Sequence, residues 1–113
     1  MDKRIKSYLL DILNSINEIE IDLPDQKDFN LFISNRTAKR AIERNLEIIG
    51  EAMSRILRID ASIEISSARK IVDFRNRIIH GYDSVSDEIL WTIATRELEP
   101  LKIQIYKLAN INP

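Results

Sequence analysis

A chain of 113 residues with a net charge of −1 is expected to form one domain, 1–113, burying roughly 65% of its unfolded surface. Zero cysteines exclude disulfides, thiol catalysis and Cys-based zinc sites, and one histidine leaves carboxylates to supply nearly every ligand of any metal. Two glycines, three prolines and 31% charged residues fit a helical globular domain.

No apolar run approaches the ~20 residues of a membrane span. The Met1-Asp2-Lys3-Arg4 start leads into no apolar signal core, so a cytoplasmic protein is expected. Charge is unevenly spread. From Ser34 to His80 there are ten Lys/Arg against six Asp/Glu, while the remainder carries seven against twelve. This mildly basic middle suits a phosphate-bearing partner, and it suits a solvated helix face equally well.

The first predicted helix runs from about Asp2 to Glu20. Ile5, Leu9, Ile12, Ile16 and Ile19, with Tyr8 and Leu13 alongside, form its narrow apolar stripe. Pro24, between Asp22 and Asp25, ends it in a turn. A short helix follows from about Lys27 to Ile33, carrying Phe29, Leu31 and Phe32. The longest helix spans about Asn35 to Ile59, with Ser34 as its expected N-cap. Ala38, Ile42, Asn45, Ile49, Ala52 and Ile56 alternate by four and three as the seam of a bundle helix, widened by Ala41, Leu46, Ile48, Met53 and Leu57. Arg36, Arg40 and Arg44 make a basic ridge at i+4 spacing on the far side, extended by Arg58. Asn45 in the seam calls for a local hydrogen bond. Gly50 in mid-helix costs about 1 kcal/mol against Ala, which close approach of another backbone would justify.

Between Asp60 and Ser67 the pattern loosens into a linker, with Ser66 or Ser67 as cap of the next helix. That helix, Ile71 to His80, ends in Arg75-Asn76-Arg77-Ile78-Ile79-His80-Gly81-Tyr82. At about 100° per residue, Ile71, Val72, Phe74, Ile78 and Ile79 share an apolar face. Asp73, Asn76, Arg77 and His80 form the opposite polar stripe. Arg75 projects from the apolar side, where its guanidinium must snorkel, pair or line a cleft. It lies roughly 140° from His80, so helical geometry alone does not make the two meet. Gly81 is a natural helix stop. Asp83-Ser84-Val85-Ser86 connects to a last helix capped by Ser84 or Ser86. Its apolar residues are Ile89, Leu90, Ile93, Leu98, Leu101, Ile105 and Leu108, Trp91 is expected to pack, and Pro100 predicts a kink near Leu98. Short connections between amphipathic helices imply an all-α, antiparallel up-and-down bundle of four to five helices.

Arg75, four residues, His80, one residue, Tyr82 resembles the R-x4-H-x-Y signature of HepT-like proteins of the HEPN superfamily. Asn76 directly after the arginine, the Ile48-Ile49-Gly50-Glu51-Ala52 run and the Ile89-Leu90-Trp91 opening of the last helix agree. The resemblance covers nearly the whole chain. It implies a HEPN-like bundle that dimerises around a shared cleft and acts as a metal-independent, cofactor-free endoribonuclease toxin of a type VII-like toxin–antitoxin pair. It also implies an MntA-type nucleotidyltransferase antitoxin that transfers AMP from ATP onto the motif tyrosine, here Tyr82.

The residue chemistry fits that expectation. Metal-free RNA cleavage uses the ribose 2′-hydroxyl as nucleophile, with a base, an acid and a cation for the developing phosphorane charge. One histidine cannot start as both base and acid, and a two-fold dimer would supply two copies of His80. Arg75 suits a bidentate phosphate clamp, Asn76 and Arg77 would orient His80 or the phosphate, and Arg77 is a further RNA-binding candidate. Two other readings stand beside this one. The chain is alternatively a non-catalytic, nucleotide-binding partner of a minimal nucleotidyltransferase, or a purely structural dimeric bundle in which His80 only caps a helix.

Overall fold

Asp2 opens the first helix. Its carboxylate accepts from the N–H groups of Arg4 at 2.7 Å and Ile5 at 3.4 Å, and the Arg4 guanidinium closes on it at 3.0 Å. Those bonds, led by the Arg4 side chain, lower its pKa from 3.8 to about 2. The computed structural model describes residues 1–25, 28–80 and 86–111, and among them every regular element is helical.

Helix α1 (Lys3–Asp22) buries Ile5, Leu9, Ile12, Leu13, Ile16 and Ile19, the stripe its periodicity predicts. Asp28 caps the short α2 (Phe29–Ser34), accepting from Asn30 at 2.9 Å and Leu31 at 3.2 Å. Helix α3 (Arg36–Ile59) corrects one expectation. Its N-cap is Asn35, whose Oδ1 accepts from the Ala38 N–H at 3.0 Å. Ser34 instead donates back to the Leu31 carbonyl at 3.0 Å, so it closes α2 and is unavailable to open α3. Asn45 makes the local bond expected of it, donating to the Ala41 carbonyl at 3.2 Å.

Helix α4 (Ala68–Ile79) follows the linker, with Ser67 at its N-cap position but no side-chain capping bond. Ser66 is occupied elsewhere, donating from both its N–H and its hydroxyl to Gln104 at 3.3 Å. Ser86 caps α5 (Asp87–Thr92), accepting from Ile89 at 3.2 Å. The chain then widens into a π-helical turn, Ile93–Glu97, and resumes as α6 (Leu98–Ala109), which Asn110 ends in the left-handed conformation. The predicted kink at Leu98 is therefore replaced by a π segment just upstream. Pro100, in the first turn of α6, lacks the N–H that would have bonded the Arg96 carbonyl.

Helix α3 is the centre of the bundle, packed against α1 on one side and α4 on the other. Antiparallel neighbours follow from named contacts. Tyr8 and Asp11 of α1 share a cleft with Arg55, Ala52 and Ile48 of α3. Glu20, near the end of α1, meets Lys102 of α6 at 3.0 Å, while Leu23 and Pro24 lie beside Ala94 and Thr95. Ser66 and Lys70 of the α4 side bond Gln104 and Glu97 in descending order. Trp91 packs at 5.7 Å from Phe29 and 5.0 Å from Phe32 between ring centroids, tying α2 to α5. Among the described residues no helix is long and apolar enough to cross a membrane.

Candidate active site

Ala68, Ile71 and Phe74 are buried and press α4 onto the bundle. Arg75 leaves α4 on the side that meets α3, directly over Gly50. A Cβ built on Gly50 would run into the Arg75 Cβ, stand 2.8 Å from its Cγ and lie 3.2 Å from the Ile71 carbonyl oxygen. The mid-helix glycine thus marks the closest approach of the two helices, and its cost of about 1 kcal/mol is offset by the packing it admits.

From that crossing the half-buried Arg75 reaches around its own helix. Its Nη1 donates to Asn76 Oδ1 at 3.0 Å. The stem is packed on the apolar side and the guanidinium is delivered to the polar stripe, which resolves the sequence question of whether Arg75 snorkels, pairs or lines a cleft. Here it snorkels and pairs. His80 closes the helix. Its N–H donates to the Asn76 carbonyl at 3.1 Å, and its side chain is exposed. Asn76 therefore bonds both other residues, Arg75 through its side chain and His80 through its backbone.

The polar stripe expected of Asp73, Asn76, Arg77 and His80 is exposed or half-buried throughout, but it divides. Asp73 and Arg77 line a groove of about 420 Å³ with Lys70, Phe74, Ile89 and Ile93, turned toward α5. Asn76 is engaged by Arg75 instead. Lys70 on the rim of that groove pairs with Glu97 at 2.6 Å. One apolar expectation needs correction. Ile79 is 46% exposed; it is the last helical residue of α4 and stands outside the core. Gly81, Tyr82, Asp83 and Ser84 lie outside the described residues, as does Lys27. Among the described residues no three His, Cys, Asp or Glu side chains gather as a metal-binding group.

The residue that sequence reasoning left unconnected is Gly50. Two signals pointed to it: a glycine inside the longest amphipathic helix, and an arginine on an apolar face that needs a small partner opposite. Nothing in the linear spacing joined the two.

A family model described as "Ribonuclease HepT-like" matches residues 3–108. The chain is 35% identical over 108 residues to "Putative RNase MJ1380" of Methanocaldococcus jannaschii, covering 93% of this chain and 97% of that protein. It is 33% identical over 110 residues to "Putative RNase MJ0125" of the same organism, covering 96% and 94%. It is 31% identical over 112 residues to "Probable ribonuclease HepT" of Thermococcus cleftensis, covering 96% and 98%. No solved structure matches. With the match running through α1 to α6 and taking in the whole Arg75–His80 helix, the chain belongs to the ribonuclease HepT-like family.

Proposed function

We propose that this chain is a metal-independent endoribonuclease toxin, active as a homodimer whose two Arg75-Asn76-His80 sets face a shared cleft. The observation that carries the proposal is the connection through Asn76, which joins a phosphate-binding guanidinium to the histidine-bearing helix end in a chain of a ribonuclease family. The dimer answers a chemical need, since base and acid must start in opposite protonation states. Exposed Ile79, adjoining His80, offers the second copy an apolar foothold.

In this reading one His80 removes the proton of the ribose 2′-hydroxyl as its oxygen attacks phosphorus. Arg75 pairs with the non-bridging oxygens, where charge accumulates. The bond from phosphorus to the 5′-oxygen breaks, and the His80 of the second copy gives that oxygen its proton. The products are a 2′,3′-cyclic phosphate and a 5′-hydroxyl. Asn76 holds Arg75 in place, and Arg77 contributes a further cation for the RNA backbone.

Tyr82, two residues beyond His80 in the sequence, is the proposed control point. An MntA-type nucleotidyltransferase antitoxin would transfer AMP from ATP to its hydroxyl, with pyrophosphate leaving. The added phosphodiester charge and bulk would oppose RNA entry beside His80.

The test is incubation of the purified protein with RNA in EDTA, with His80→Ala as control and the new ends analysed. Cleavage that persists in chelator and leaves cyclic phosphate supports the proposal. Activity that vanishes with EDTA and returns with magnesium overturns its metal-independent mechanism, and equal cleavage by His80→Ala removes His80 from the site.

A further inference from the structure

We infer that Gly50 is a positioning residue of the ribonuclease site: its missing side chain sets where α4 crosses α3, and so where Arg75 presents its guanidinium. The inference rests on the proposed role of Arg75 and adds a residue on another helix, 25 positions earlier in the chain, that never touches RNA.

The geometry is one-sided. A Cβ at Gly50 would meet Arg75 at its Cβ and Cγ, and would also crowd the Ile71 carbonyl oxygen at 3.2 Å. These atoms lie at the root of a side chain and in the backbone, not at a flexible tip. A rotamer change cannot clear them, so α4 itself must shift or turn. The Arg75 guanidinium is fixed at two ends, by the stem on Gly50 and by the Nη1 bond to Asn76 at 3.0 Å. Arg75, Asn76 and His80 ride on α4 together, so the shift carries the whole set off its seat on α3 and, in the proposed dimer, away from the second copy's His80. A displacement on the order of 1 Å in a catalytic group costs about a hundredfold in rate. Gly50 is also buried within α3, so adding one methyl there changes the packing of α4 without adding surface chemistry.

The experiment compares wild type, Arg75→Ala and Gly50→Ala, measuring kcat and KM on RNA per folded molecule, with folded fraction from thermal melts. Wild-type cleavage lost in Arg75→Ala establishes the underlying reading; no cleavage by wild type, or full cleavage by Arg75→Ala, overturns that reading and this inference with it. Given an active wild type and a dead Arg75→Ala, Gly50→Ala is expected to lose about a hundredfold in kcat with KM changed less than threefold or so. A Gly50→Ala protein with wild-type kcat per folded molecule overturns the positioning role alone. So does a loss confined to KM or to the folded fraction, which is what a merely structural glycine would give. If Gly50→Ala does not fold, Gly50→Ala/Arg75→Gly decides. Recovered folding, with the opposing Cβ removed, upholds the contact as the constraint, and continued unfolding overturns it.

Discussion

The Nη1 of Arg75 lies 3.0 Å from the Oδ1 of Asn76, so a guanidinium that leaves α4 on its apolar side ends on its polar one. Neighbouring residues on a helix diverge by about 100°, and only a long side chain folded back along the helix surface closes that gap. The bond uses an Asn76 acceptor that would otherwise seek water, and the remaining guanidinium donors are the ones the proposed phosphate contact would use.

That relationship separates two variants. His80 is exposed at the helix end, so His80→Ala should melt within about 0.5 kcal/mol of wild type while cleaving RNA about 10²–10⁴-fold more slowly. Arg75→Ala should lose activity and also about 1 kcal/mol of stability, because its stem packs on Gly50. Arg75→Lys should not restore activity, since an ammonium lacks the planar fork. Thermal melts run beside single-turnover cleavage check both.

Ile79 tests the dimer. Ile79→Glu places a charge on a residue already 46% exposed, so the isolated chain should keep its helicity and melting behaviour. If the two motifs share a cleft there, light scattering should show a dimer for wild type and a monomer for the variant, with cleavage lost. An unchanged dimer that still cleaves RNA would place the interface elsewhere.

Tyr82 tests control. Tyr82→Phe keeps the ring and removes only the acceptor hydroxyl, so cleavage should stay within about threefold of wild type. With a partner nucleotidyltransferase and ATP, mass spectrometry should find adenylylated tyrosine on wild type and none on the variant. Neutralisation through the modification should fail for Tyr82→Phe.

Asp2 gives a pH dependence. Its carboxyl is held at about 2, below the ordinary 3.8, first by the Arg4 side chain and then by the Arg4 N–H. A lowered folded-state pKa contributes stability that is present above pH ~4 and lost as pH falls toward 2. Asp2→Ala should therefore melt lower than wild type near neutrality, with the difference shrinking between pH 4 and pH 2. Its proximity to solvent makes the effect sensitive to salt.

Much of the bundle was legible because apolar periodicity reports burial directly. The stripe Ile5-Leu9-Ile12-Ile16-Ile19 and the seam Ile42-Ile49-Ala52-Ile56 are buried as spaced. Asn45 found its partner one turn back. What periodicity could not supply were choices between adjacent candidates. Ser34 and Asn35 are both good caps, and the decision fell to where α2 ended. At the motif, the resemblance singled out Arg75, Asn76 and His80, but no spacing could supply the side-chain bond between Arg75 and Asn76, because a side chain's path around a helix depends on the helix it crosses. Ile79 matches the apolar spacing of α4 yet is exposed, as the last helical residue before His80.

The π turn at Ile93–Glu97 bears on how the last helix keeps its seam. Buried Leu90, Ala94 and Leu98 are spaced by fours, a step that drifts about 40° each time around a straight α-helix. The wider turn absorbs that drift, so one residue is accommodated without advancing the apolar face. The last helix is in this sense a hinge of sequence length against spatial length: removing one residue between Ile93 and Glu97 should convert the bulge to regular α-helix with both ends still seated, whereas the same deletion in α3 would turn half its seam toward water.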